Sequence, residues 1–181
     1  LVANTKCQVT IAGTDITHNE AKEHSAGGVL LLTESKLNFK SGSVSHNTAK
    51  VDGGNVYLYR LCTMEMTGGT IQGGYASGSE TADKRGGNVC VTHGGTFTLV
   101  SGTITGGSSS GGWGGNIYAT SGTINIQGGT VSYGTGASAA NIMAFHSTLN
   151  ITGGEFIAAP GSTQPNVVAR GFTETKNGVT S

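Results

Sequence analysis

Charge is scarce in this chain. Asp, Glu, Lys and Arg make up 11% of its 181 residues, and the formal net charge is zero. Such balance leaves no electrostatic footprint for nucleic acid or an anionic membrane surface. Apolar runs are short, and none approaches the roughly 18 residues that a membrane-spanning helix needs. Proline occurs only twice, so little interrupts backbone hydrogen-bond ladders. The three cysteines, Cys7, Cys62 and Cys90, are odd in number and lack zinc-ligand spacing. Nothing else in the chain resembles a disulfide framework. A Cys62–Cys90 bridge between neighbouring repeats is nevertheless conceivable. The chain opens Leu1-Val2-Ala3, without Met or a signal peptide, and is read as a processed protein or an excised fragment.

What the chain has is a strand phrase that returns six times. It reads apolar-x-apolar, then small or polar residues, then x-apolar-x. Its copies are Val9-x-Ile11…Ile16, Leu37-x-Phe39…Val44, Met64-x-Met66…Ile71, Phe97-x-Leu99…Ile104, Ile124-x-Ile126…Val131 and Leu149-x-Ile151…Phe156. Five copies carry Gly at the same interior point: Gly42, Gly69, Gly102, Gly129 and Gly154. A second phrase is interleaved, as Gly27-Gly28-Val29, Gly53-Gly54-Asn55, Gly86-Gly87-Asn88, Gly114-Gly115-Asn116 and the degenerate Ala139-Ala140-Asn141. Copies recur at a period of roughly 25–33 residues, the signature of units that each stack on their neighbours.

The apolar residues alternate at period two, and no stretch has helical spacing. Between the phrases, Gly, Ser, Thr and Asn turn the chain. One period therefore holds three short strands and three turns, which is one coil of a parallel β-helix. The expected fold is all-β, a parallel β-solenoid of about six coils. Residues 1–161 form the coils, and 162–181 form a C-terminal segment serving as cap, extra strand or linker. With 32 Gly phased against apolar positions, the composition signals tight turns and not disorder.

Asn55, Asn88, Asn116 and Asn141 recur at one point of successive coils, after a small pair at a corner. Their amides are expected to bond to one another along the column, as a structural ladder.

Two motifs carry a resemblance. Ile16-Thr17-His18-Asn19-Glu20-Ala21 followed by Gly27-Gly28-Val29, and Val44-Ser45-His46-Asn47-Thr48-Ala49 followed by Gly53-Gly54-Asn55-Val56, are similar to the F-x-x-N-x-A…G-G-A-I repeats of polymorphic outer-membrane proteins. Gly68-Gly69-Thr70-Ile71 and Gly128-Gly129-Thr130-Val131 resemble the GGTIxG repeats of large adhesin-like bacterial surface proteins. Both belong to the right-handed, pectate-lyase-like β-helix superfamily, and the similarity covers roughly residues 7–159. The resemblance implies a right-handed coil and an extracellular or cell-surface location. It says little about activity, because this superfamily hosts lyases, hydrolases, adhesins and passive stalks.

Enzymes of that superfamily group carboxylates on one outer face, to bind calcium or act as acid and base. Here Asp15 and Glu155 share a column but lie five coils apart. No two acids clearly stand in one column of adjacent coils. Glu80 and Asp83, with Lys84 and Arg85, read as solvated turn chemistry in the longest loop. No catalytic residue, cofactor or metal is expected. His18 and His46 occupy equivalent positions and should stack as surface rings.

Two outward faces are worth reading. Ser43-x-Ser45, Thr70-x-Gln72, Thr103-x-Thr105 and Thr130-x-Ser132 form hydroxyl-rich ranks, as on some ice-binding solenoids, although such residues also suit any solvent-facing strand. Leu31, Tyr57, Cys90, Tyr118 and Met143 form an apolar column. It is either an exposed stripe that marks a partner surface or is covered by residues 162–181. The functional expectation is a non-enzymatic, adhesin-like structural solenoid. Its partners would be further copies stacked end to end, other surface or matrix components, or glycans. A carbohydrate-active relative and an ice-binding solenoid are the alternatives.

Overall fold

The computed structural model describes residues 1–78, 84–110, 112–171, 175–176 and 179–180. Glu80 and Asp83 of the longest loop lie outside them. The described chain is all-β, without a helix, and winds through about six turns of a parallel β-solenoid.

Three parallel sheets run along the column. The first has seven strands: Val2–Asn4, Val29–Leu32, Val56–Leu58, Val89–Thr92, Ile117–Thr120, Ile142–Phe145 and Val167–Arg170. The second carries the six-fold phrase, bent at its interior small residues. In two coils the phrase runs as one ten-residue strand, Thr63–Gln72 and Thr96–Thr105. The third is narrow, built from the pairs Glu20–Ala21, Thr48–Ala49, Tyr75–Ala76 and Ser108–Ser109.

Alternation dictates which side chains face inward. Val56 and Leu58, Val89 and Val91, and Ile117 and Ala119 of the first sheet meet Met64, Met66 and Ile71, Phe97, Leu99 and Ile104, and Ile124, Ile126 and Val131 of the second. These residues are fully or almost fully buried. Each large one contributes roughly 1.5–3 kcal/mol by leaving water. The third sheet closes the section with small inward residues, Ala49 and Ala76.

Three corners per coil take the left-handed conformation at fixed columns. Thr33, Arg60, His93, Ser121 and His146 form one, at φ of 43° to 52°. His18, His46, Gly73, Gly106 and Tyr133 form the second, and Ala26, Gly53, Gly86 and Gly114 the third. His93 and His146, which show no shared register in the sequence, thus occupy the same corner of different coils.

The third corner corrects the alignment of the earliest Gly-Gly phrase. Ala26 stands where Gly53 stands, and Val29 pairs with Val56. Gly28 therefore holds the Asn55 position, and the phrase is offset by one residue. In consequence Leu31 points into the core, pairs with Leu58 and is fully buried. Leu30, not Leu31, belongs to the outward column with Tyr57.

The structure speaks to the cysteines and to part of the C-terminal segment. All three thiols are free: Cys62 packs in the interior cluster, whereas Cys90 faces outward on the far side of the first sheet. Among the described residues beyond 161, Val167–Arg170 adds a strand beside Ile142–Phe145.

Candidate functional site

The asparagine column forms a continuous amide ladder. Asn55 Nδ2 donates to Asn88 Oδ1 at 2.7 Å, Asn88 to Asn116 at 2.7 Å, and Asn116 to Asn141 at 2.6 Å. The second N–H of each amide goes to a main-chain carbonyl, those of Gln72, Thr105, Ser132 and Ile157. Oδ1 of Asn88, Asn116 and Asn141 also accepts the backbone N–H of Gly74, Gly107 and Gly134. A side chain on any of these three glycines would run into the amides themselves. The four sequence-selected asparagines are completely buried, which such full hydrogen bonding makes tolerable.

The ladder is longer than the sequence indicates. Asn19 donates to Asn47 at 2.9 Å, Asn47 to Asn55 at 2.8 Å, and Asn141 to Asn166 at 2.8 Å. Asn166-Val167-Val168 repeats the pattern of Asn141-Ile142-Met143, so its membership was readable. Asn47 comes from a different corner. It reaches the ladder because Gly28 leaves room where a Cβ would strike its amide.

The outer face of the first sheet is covered at one end and open at the other. Cys90, Tyr118 and Met143 are buried there at 0%, 2% and 0% exposure. Ala139 and the corner residue Trp113 pack on them, together with Phe145 and, from the segment beyond residue 161, Val168. The Trp113 ring stands edge-on to Tyr118, centroids 6.3 Å apart, and to Phe145 at 5.1 Å. The Arg85 guanidinium lies 5.6 Å from the centre of the Tyr118 ring, and Arg85 Nε is 3.4 Å from Asp52 Oδ1. Asp52, Arg85 and Trp113 stand in one column through consecutive parallel bridges.

Toward the first coils this cover stops. Leu30, Leu32, Tyr57 and Tyr59 floor an open groove of about 260 Å3, with His24 and Ser25 on its wall. The Tyr57 and Tyr59 rings stack at 6.1 Å, and Tyr59 meets the His93 ring at 4.6 Å. Leu32 and Tyr59 form a second outward column beside the expected one. Alternation on Leu30-x-Leu32 and Tyr57-x-Tyr59 signals it in the sequence once the one-residue offset is taken into account.

Electrostatically the face favours neutral groups. Burial pushes the Tyr57 hydroxyl up to about 12, even though Thr92 Oγ1 donates a 3.1 Å hydrogen bond to it. Burial likewise raises Tyr118 and holds the Cys90 thiol well above its ordinary range.

The remaining candidates are dispersed. Asp15 and Glu155 stand at opposite ends of one column, separated by Ser43, Thr70, Thr103 and Thr130. Among the described residues no three His, Cys, Asp or Glu side chains converge on a common point. His18 and His46 stack, with centroids 5.3 Å apart and planes 12° from parallel. On the second sheet's outer face Thr63, Thr96, Thr123 and Thr148 are in register, as are Thr70, Thr103 and Thr130. Compared with protein-family models, with curated proteins and with solved structures, the chain gives no match in any of the three.

Proposed function

We propose that this chain is a non-catalytic, extracellular, adhesin-like β-solenoid of the right-handed pectate-lyase-like type, whose job is to present a binding face on a rigid column. The observation that carries this reading is the asymmetry of the first sheet's outer face. Its upper coils are sealed by Trp113 and Ala139, while Leu30, Leu32, Tyr57 and Tyr59 remain accessible. Partly exposed aromatic and aliphatic side chains grouped on a flat sheet are typical of partner surfaces. The amide ladder and unbroken core supply the rigidity that presentation needs. Glycan microarrays and incubation with polyuronates test it together. Binding without cleavage supports the reading. Polysaccharide cleavage that chelators or substitution of Asp52, Glu65 or Glu155 abolish would refute it.

Two secondary readings each have a specific observation. Among the described residues the outermost strands of the first sheet, Val2–Asn4 and Val167–Arg170, pair on one side only, which favours end-to-end stacking of copies into a filament. The threonine ranks of the second sheet favour ice binding. A thermal-hysteresis measurement on the purified chain decides that: no hysteresis removes it.

A further inference from the structure

The repeat supplies its own template for what the open groove receives. Ser25, Asp52, Arg85 and Trp113 occupy one wall column. Ala26 N–H bonds to Asp52 O in the same way that Gly53 bonds to Arg85 O and Gly86 to Trp113 O. The floor repeats too. Leu30, Tyr57, Cys90, Tyr118 and Met143 are equivalent, and Leu32 and Tyr59 stand two residues further along, where Phe145 stands in the last of those coils. Trp113 lies over Tyr118 of its own coil and Phe145 of the next, and by the same register a ring in the Ser25 position would lie over Leu30 and Tyr59. In the early coils the wall residue is Ser25, too short to cover the floor, and the slot is open.

We propose that this groove receives a tryptophan or tyrosine ring presented by a separate polypeptide partner. The inference rests on reading this face as the partner surface. Charge agrees with it. The floor carries no formal charge, and Asp52 and Arg85 answer each other, so nothing calls for an ionic ligand. Tyr57 Oη accepts from Thr92, and Ser25 Oγ accepts the Asp52 N–H. The floor itself is tyrosine rings and leucine methyls, and aromatic pairs at 4.5–7 Å are favourable beyond their buried area.

The test is a titration of the full chain, methyl-labelled at leucine, with an end-blocked Gly-Gly-Trp-Gly-Gly peptide. The same peptide with Ala for Trp, and a neutral hexasaccharide, serve as the other arms. The Trp peptide should shift the Leu30 and Leu32 methyl signals saturably, and the Ala peptide should not. Ser25→Trp, which fills the slot from within, should weaken the peptide at least tenfold while the buried Asn amide signals stay in place. Leu32→Asn provides an independent variant with the same expected loss. Equal response to both peptides, undiminished affinity in a folded variant, or groove shifts caused by the hexasaccharide alone would overturn the proposal. So would self-association in sedimentation that Ser25→Trp abolishes, since a second copy would then be the occupant. Hexasaccharide binding would remove the aromatic occupant and leave the presenting function standing, whereas polysaccharide cleavage by the chain would do the reverse.

Discussion

Each buried amide of the ladder spends both hydrogens, and Asn88, Asn116 and Asn141 each accept twice. Removing one leaves donors and acceptors above and below without partners, in a place that water does not reach. Asn88→Ala or Asn116→Ala should therefore cost about 1–3 kcal/mol each, with the double variant departing from additivity because the two amides touch. Chemical denaturation of the three variants measures this; stabilities equal to the parent's would show that the ladder is ornamental. Tyr57 permits a pH test. Its folded hydroxyl titrates at about 12 because of burial, against roughly 10 in an unfolded chain. The folded state thus holds its proton more tightly. The associated stability is fully present below pH 10 and is lost as pH rises toward 12. Melting temperatures across that window should fall less steeply in Tyr57→Phe than in the parent.

At the level of elements, the outward face of the first sheet is the informative case. Its strands are apolar on both sides, and what hides the outer side is a corner residue four positions upstream of a strand. Trp113 is half-buried, so Trp113→Ala should destabilise by on the order of 1–2 kcal/mol, less than a fully buried ring would. It should also uncover the layer beneath. In the parent only Cys7 should react readily with a thiol reagent, because Cys62 and Cys90 are buried. In Trp113→Ala, Cys90 should begin to react while Cys62 stays silent. A reagent count unchanged by the substitution would mean that Tyr118 and Met143 seal Cys90 without help.

Across the whole molecule, every coil touches mainly its two neighbours, so stability is close to a sum of coil and interface terms. The ladder has a direction as well. From Asn19 to Asn166 every Nδ2 donates toward the C-terminal end. If copies add end to end, this polarity requires head-to-tail joining, with strands perpendicular to the growth axis. Negative-stain images at rising concentration should then show rods lengthening in steps of about 30 Å, six coils at the strand spacing. A monomer that persists at high concentration would eliminate the stacking reading.

By itself the sequence determined the solenoid. Period-two alternation, phased Gly and a repeat of fixed size specify parallel strands one coil apart, and they place Asn55, Asn88, Asn116 and Asn141 in one column. Those properties are local and recur, so they survive without coordinates. The tertiary structure alone decided what depends on register and on distant corners. A one-residue offset at Ala26-Gly27-Gly28 turned Leu31 inward and Leu30 outward, because side chains in a strand change face at every step. Asn47 joined the ladder from another corner, through space that Gly28 leaves empty. Trp113 sealed one end of an apolar face and Ser25 left the other open, a difference set by side-chain length at equivalent positions and visible only once those positions are stacked.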